Sequence, residues 1–349
     1  MKKPLLIMLL LLVALVTVFA QAAVEMQNQA TESRIYVDSL GREVEIPANI
    51  TRVAPSGNVA QLAIYAVAPD KMVGWSSKIS QSAMDVFLPE IAKLPVFGTF
   101  YGKKANLNKE ALIAADPEVI IDVGEIKGSK EDMAKELDEL SSNIGIPVIF
   151  VEGYLDNADK MFTMLGVILS EEEQAKRLAT FSRDALDMGK DNRDKINTNL
   201  YYSSASDGLQ GVETGSFHGE VIEYIGVNNI VPKSFTKSNG NISLEQIYLW
   251  DPEVILLGNE EAYQTVTTSS TWKELQAVKN GRVYLIPSTP YSFLDTPPAT
   301  NRFIGIYWLG NILNPEAYDV DIVAKAQEYY DIFYHKTLTE TEAKEILGL

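Results

Sequence analysis

The sequence contains no cysteine and only two histidines, His218 and His335. Without cysteine the chain forms no disulfide bond, offers no thiolate to a metal, and lacks the residue through which bacterial lipoproteins are lipid-anchored. A receptor for a bare zinc or manganese ion needs several histidine or carboxylate ligands that converge on the ion. Two histidines this far apart do not supply such a set. We therefore expect no metal held directly by the protein.

Basic residues are also scarce. The chain has 30 lysines and arginines against 47 aspartates and glutamates, for a formal net charge of −17. Nucleic-acid phosphates need neutralisation by basic side chains, so this balance argues against a nucleic-acid partner. The Gly-x-Ser-x-Gly motif is absent, and neither histidine is placed to act as a general base. A carboxylate pair could still serve a glycosidase, but Glu110 and Glu245 are expected on separate surfaces. The sequence therefore predicts no enzyme.

A single long apolar run opens the chain. Lys2 and Lys3 precede an apolar stretch that ends near Ala20-Gln-Ala22, which fits a small-residue cleavage site. The run holds about 16 apolar residues, fewer than the roughly 20 that span a bilayer. We expect residues 1–22 to be a cleaved signal peptide; retention as a membrane anchor is the alternative. With no cysteine for a lipid anchor, the mature chain is expected in a periplasm.

One long motif occurs twice. Asn106-Leu-Asn-Lys-Glu110 leads to Asp116-Pro-Glu-Val-Ile120, and 135 residues later Asn241-Ile-Ser-Leu-Glu245 leads to Asp251-Pro-Glu-Val-Ile255. A repeat of this length exceeds a solenoid unit. It predicts two similar domains that each carry one outward glutamate, Glu110 and Glu245. Asn108 and Ser243 fit N-cap positions, so each glutamate is expected in the first turn of a helix.

Strands and helices alternate in both halves of the chain, which is typical of parallel α/β sheets. We predict two similar Rossmann-like lobes, at residues 35–156 and 196–313, with a ligand cleft between them. One long helix at 157–195 is expected to bridge the lobes, because apolar residues recur there at helical spacing. The tail at 314–349 is expected to be helical and packed on the C-terminal lobe. Its aromatic side chains could alternatively form a ligand-stacking stripe.

The repeated glutamates and several further segments resemble class III periplasmic binding proteins. These are the receptors of ABC importers for ferric siderophores, cobalamin, haem and related chelates. The further segments are Asp38-Ser-Leu-Gly-Arg-Glu-Val-Glu-Ile-Pro47, Gly219-Glu-Val-Ile-Glu-Tyr-Ile-Gly226, Asn228-Asn-Ile230 and Pro297-Pro-Ala-Thr-Asn-Arg-Phe-Ile-Gly-Ile-Tyr-Trp-Leu309. The resemblance implies that Glu110 and Glu245 dock onto arginines of the permease. The alternative is that the helix dipole alone favours a glutamate in the first turn.

Loops at the C-terminal ends of strands carry the ligand in two-lobed α/β binding proteins. The candidates from those loops are Ser56, Asn58, Trp75, Lys78, Phe100, Tyr101, Lys103, Tyr154, Ser216, Phe217, His218, Tyr291, Phe293 and Arg302. Aromatic side chains suit a bulky organic ligand and basic ones an anionic ligand. Each aromatic could instead belong to the core and each lysine to a solvated loop. Arg302 could form an internal salt bridge, and His218 could complete a metal's open coordination position or be a surface residue.

Residues and resemblance together predict a receptor that captures a metal chelate and delivers it to the permease dimer of an ABC importer. A ferric siderophore is the expected cargo on family frequency alone. Cobalamin, haem, a nickel chelate, or an oxyanion such as molybdate or tungstate are the alternatives. Helix N-termini near Ser56 and Ser216 could hold an oxyanion. We expect a monomer with no cofactor beyond the metal that the ligand carries.

Overall fold

The computed structural model describes residues 32–81, 83–100, 105–233, 235 and 241–349. The signal peptide predicted at residues 1–22 and the candidate ligand residues Tyr101 and Lys103 lie outside this part of the chain. Within it, no helix combines the length and the apolarity needed to cross a bilayer.

The N-terminal half is built on a parallel sheet of three strands in the order β3-β4-β5, beside a separate antiparallel hairpin of β1 and β2. The strands are β1 (Ser33–Val37), β2 (Glu43–Pro47), β3 (Val53–Pro55), β4 (Val119–Gly124) and β5 (Val148–Glu152). The helices are α1 (Asn58–Val67), α2 (Pro89–Ala92), α3 (Lys109–Ala114) and α4 (Lys130–Ile144). All but the last residue of β4 are buried, which explains its nearly continuous apolar sequence.

Two helices, α5 (Ala158–Leu169) and α6 (Glu172–Asp191), follow where one long bridging helix is predicted. The prediction of a single helix over 157–195 is wrong because the backbone becomes left-handed at Ser170, with φ 55°. The chain then folds back, so that α5 packs along α6. Gly166 permits this close approach: a Cβ added there would lie 2.5 Å from the Cβ of Ala175.

The C-terminal half repeats the plan with a parallel sheet in the order β7-β6-β8-β9. Its strands are β6 (Asn199–Ser203), β7 (Asn228–Asn229), β8 (Val254–Leu257) and β9 (Val283–Leu285). Its helices are α7 (Glu220–Tyr224), α8 (Leu244–Trp250), α9 (Glu260–Thr268), α10 (Gln276–Lys279) and α11 (Arg302–Leu313). The predicted α/β class, with parallel sheets in two halves, is confirmed.

The second glutamate of each repeated motif anchors the neighbouring strand. Glu118 accepts hydrogen bonds from the backbone N–H groups of Thr51 and Arg52 at 2.6 and 3.0 Å. Glu253, its counterpart, accepts one from the N–H of Asn199 at 2.8 Å. The repeat therefore encodes a strand anchor as well as an exposed acid.

The tail contains α12 (Ile322–Tyr334) and α13 (Glu340–Leu347). It is helical as predicted, but α12 packs against α1 and α6 as well as α11, so its contacts extend well beyond the C-terminal lobe. The Tyr65 hydroxyl on α1 donates to the carbonyl of Tyr334 at 3.1 Å. The aromatic rings of α12 are buried, and they pack against aromatic rings of α1, α5 and α6. Burial of these rings explains why the tail is rich in aromatic residues. The prediction had placed the tail against the C-terminal lobe only.

Candidate functional site

Glu110 and Glu245 hold equivalent places on α3 and α8. The side chain of Asn108 accepts a hydrogen bond from the Ala111 N–H, and Ser243 accepts one from the Gln246 N–H. Both predicted N-caps are therefore present, and each glutamate lies in the first turn and is exposed. The pKa of Glu245 is lowered because its carboxylate accepts hydrogen bonds from its own N–H and from the Ser243 hydroxyl. This carboxylate is ionised at neutral pH.

A cavity of about 500 Å³ is lined by residues of both halves. Glu125 follows β4 in the N-terminal half, whereas Ser216 and Phe217 precede α7 in the C-terminal half. Glu220 and Arg193 complete this wall of the cavity. Two of the predicted ligand residues, Ser216 and Phe217, are thus brought together beside a carboxylate from the opposite half.

Arg302 is a buried member of an ion pair beside this cavity. Its guanidinium donates to the carboxylate of Glu220, and it lies 5.1 Å from the ring centroid of Phe217. Burial lowers the pKa of Arg302 and raises that of Glu220, and each partner's charge opposes the shift of the other. The alternative of an internal salt bridge is therefore the one observed, and Arg302 brings little uncompensated positive charge to the cavity.

His218 is held by a buried carboxylate. Its Nδ1 lies 2.6 Å from Oδ1 of Asp295, whose side chain is 4% exposed, while the histidine side chain is 60% exposed. Ser216 accepts a hydrogen bond from the His218 N–H at 3.2 Å, which fixes the start of this turn. Among the described residues no partner bonds to Nε2. A carboxylate at one ring nitrogen fixes the ring's orientation and makes the other nitrogen a better metal ligand.

Ser56, predicted as a ligand contact, is buried and donates its hydroxyl to Asp122 within β4. Burial raises the pKa of Asp122, and the bond from Ser56 opposes that shift. Asn58 and Lys78 are exposed. Tyr154 and Tyr291 are half-buried, and burial raises the pKa of Tyr291 to about 12.

Three predicted aromatic contacts belong to the core instead of the cleft. Trp75 is 1% exposed, and its indole N–H donates to the carbonyl of Ile91 at 2.8 Å. Phe293 and Phe100 are buried in two different apolar clusters. Residue type alone does not reveal whether such a side chain faces the cleft or the core.

Two acidic side chains of this region, Asp122 and Glu220, were missed, whereas Glu125 and Asp295 were read from the sequence as residues of the cleft loops. Glu220 follows the predicted contacts Ser216, Phe217 and His218 closely in sequence, which was an available signal, whereas Asp122 lies within β4, 66 positions from its partner Ser56. Their partners are distant in sequence; Glu220 and Arg302, for example, are 82 positions apart. Among the described residues no group of three or more histidine, aspartate or glutamate side chains is arranged to hold a metal ion.

Comparison with known proteins gives consistent relatives. The sequence profile of the family "Periplasmic binding protein" matches residues 55–290. An ABC transporter solute binding protein from Sulfurospirillum deleyianum DSM 6946 is 31% identical, with a TM-score of 0.80 over 91% of this chain and all of that one. The molybdate-bound protein MolA of Haemophilus influenzae is 20% identical, with a TM-score of 0.66 over 88% of this chain and 99% of that one, which shows a shared fold alone.

A curated relative is the Fe(3+)-citrate-binding protein YfmC of Bacillus subtilis (strain 168). It is 26% identical over 191 residues, which are 53% of this chain and 58% of that protein. The match therefore spans less than two thirds of that relative. The family predicted from the repeated motif is confirmed by the profile and by the Sulfurospirillum structure. With the profile covering more than half of its length, the chain belongs to the periplasmic binding proteins, which are solute-binding transport proteins and not enzymes.

Proposed function

We propose that this chain is the receptor of an ABC importer and that its cargo is a ferric chelate, with a ferric siderophore as the first choice. The observation that carries the cargo assignment is the pair of His218 and Asp295 at 2.6 Å, beside the cavity that Phe217 lines. A histidine oriented by a buried carboxylate can offer Nε2 to a metal. One such ligand cannot hold a bare ion, but it can fill a position that a chelator leaves open.

The charges around the cavity favour a chelate over an oxyanion. An oxyanion is held by positive charge that is not already compensated or by free backbone N–H groups. Here the Arg302 guanidinium is paired with Glu220, and the carboxylates of Glu125, Glu220 and Glu223 outnumber the Arg193 guanidinium on the same wall. The name of the Bacillus relative supports iron as the metal. Cobalamin, haem and nickel chelates remain alternatives to be compared directly.

The proposed site of action is the periplasm, after removal of residues 1–22. There the receptor would meet the permease dimer through Glu110 and Glu245, as a monomer carrying one chelate. Support for docking comes from the equivalent placement of the two carboxylates, both exposed and both in the first turn of a capped helix.

Cargo is tested by native mass spectrometry and thermal unfolding of the mature chain. The panel contains ferric complexes with and without open coordination positions, haem, cobalamin, a nickel chelate and molybdate. A ligand present at 100 times its Kd adds about 2.7 kcal/mol of stability. We expect ferric chelates with open coordination positions to stabilise the chain. Their affinity should fall at least tenfold in His218→Ala. Stabilisation by molybdate alone would overturn the chelate assignment.

Docking is tested by a double variant. Glu110→Ala with Glu245→Ala should abolish transport and leave chelate affinity unchanged, because both carboxylates lie outside the cavity. Normal transport by this variant would refute the docking role.

A further inference from the structure

Exposed aliphatic side chains accompany both docking glutamates. Among the described residues, Leu249 on α8 is 79% exposed, more than any other large apolar side chain, and Ile113 on α3 is 57% exposed. A single exposed aliphatic side chain is common on protein surfaces. Here, however, both lie on the two equivalent helices that carry the docking glutamates.

Helix geometry places each aliphatic side chain beside its glutamate. Ile113 is three positions after Glu110, and Leu249 is four positions after Glu245. Residues at these spacings are neighbours on one helix face, with Cβ atoms roughly 5–6 Å apart. The opposite faces are anchored by Leu112 and Ile247, which are fully buried. Each helix thus presents an acid and an aliphatic group together to solvent.

The energetics assign different roles to these two groups. An exposed ion pair changes an affinity by at most about fivefold. Burial of a leucine or isoleucine side chain in an interface is worth roughly 10- to 100-fold. Two glutamates alone would orient a partner and speed its encounter, whereas the adjacent aliphatic groups can supply affinity.

The two helices, α3 and α8, are not expected to contribute equally to permease binding. On α3 the residue before Glu110 is Lys109, whereas on α8 the residue before Glu245 is Leu244. The ring centroids of Phe235 and Trp250 are 5.1 Å apart, and this pair adds apolar surface at the end of α8. The greater exposure of Leu249 and the added apolar surface of Phe235 and Trp250 favour α8.

We propose that Ile113 and Leu249 complete two composite contacts for the permease, each formed with its glutamate, and that the contact on α8 contributes more affinity. The partner surface that fits is a basic side chain next to an apolar recess, present twice on a dimeric permease. This inference rests on the proposed function.

The test is binding of the mature chain to its permease in lipid nanodiscs, with chelate affinity measured in parallel. We expect Leu249→Ser to weaken permease binding about tenfold or more and Ile113→Ser about threefold, with chelate affinity unchanged. Ile35→Ser is the matched control, because Ile35 is 60% exposed on β1, away from both helices, and should stay within twofold. Melting temperatures check that all three variants are folded.

The outcomes separate the two proposals. If the double glutamate variant binds the permease with normal affinity and a normal association rate, the docking role itself fails. If that variant loses binding while both serine variants stay within twofold, the composite contacts are refuted and the glutamate docking stands. Equal losses for Ile113→Ser and Leu249→Ser overturn the stronger role of α8.

Discussion

At the scale of single residues, the two glutamates of each repeat have different roles. Glu118→Ala should lower the free energy of unfolding by about 1–2 kcal/mol, because its carboxylate accepts bonds from the Thr51 and Arg52 N–H groups. Glu110→Ala should stay within about 0.5 kcal/mol, as is usual for an exposed position. Urea unfolding of both variants measures the difference, and similar values for the two would contradict it.

Arg302 and Glu220 should behave as a coupled pair. Glu220→Gln leaves the buried guanidinium without its counter-charge and should cost about 2–3 kcal/mol, below the 3–5 kcal/mol of fully buried pairs because Glu220 is partly exposed. Adding Arg302→Met should recover part of this loss. A double-mutant cycle in urea gives the coupling energy. Additive costs would show that the pair is not coupled.

Asp122 should make stability depend on pH. Its pKa is raised by burial, so the folded state binds a proton more readily than the unfolded state does. This contribution is full below the ordinary aspartate pKa and is lost as pH rises through the raised folded value. Asp122→Asn, which can still accept the Ser56 bond, should therefore be more stable than the parent chain at pH 7 and close to it at pH 3.5. Melting curves at both pH values test this, and an equal gain at both contradicts it.

Residue-scale prediction from sequence succeeded where the signal is local. The N-caps at Asn108 and Ser243 could be predicted because capping depends on a few neighbouring positions. The state of Arg302 could not, because its partner Glu220 is 82 positions away. The burial of Trp75 could not be predicted either, because a position at the end of a strand does not show whether the side chain faces the cleft or the core.

At the scale of elements, the spacing of apolar residues predicted helical structure in the bridge, but it did not predict that the bridge is divided into two helices at Ser170. Both α5 and α6 keep helical spacing, so the pattern continues across Ser170 with no proline or glycine to mark the turn. The cue was instead Gly166, which is a poor helix former kept where two helices come closest. The bridge is therefore a packed helical pair.

Gly166→Ala should destabilise this pair. Its new Cβ would lie 2.5 Å from that of Ala175, so α5 and α6 must separate, at a cost of about 1–3 kcal/mol that outweighs alanine's better helix propensity. Gly124→Ala is the matched control, because no heavy atom lies within 4 Å of the added Cβ. Denaturant midpoints compare the two. A stabilised Gly166→Ala variant would show that the helices can adjust without loss.

At the scale of the whole molecule, the two halves share one apolar core. On β4, Val119, Ile121 and Val123 belong to a cluster that extends through the bridge and tail helices, and Val254 and Leu256 of β8 belong to the same cluster. Alternate residues face smaller clusters on the outer side of each sheet. The repeat in the sequence indicated two lobes. It could not reveal that the bridge and tail helices join the inner faces of both sheets into one apolar cluster.

Because of this shared core, the chain should unfold in one transition. Opening either half would expose apolar surface of the other, so no partly folded form with one intact lobe is expected to accumulate. Trp75 reports on the N-terminal half and Trp272 on the C-terminal half, and both are buried. Variants in which Trp75 or Trp272 is the sole tryptophan, the other three of the four being replaced by Phe, should give coincident denaturation curves by fluorescence. These curves should match circular dichroism, and the calorimetric enthalpy should equal the van't Hoff value. Midpoints separated between Trp75 and Trp272 would mean that the lobes unfold independently, and that the tail and bridge hold them together more weakly than their packing indicates.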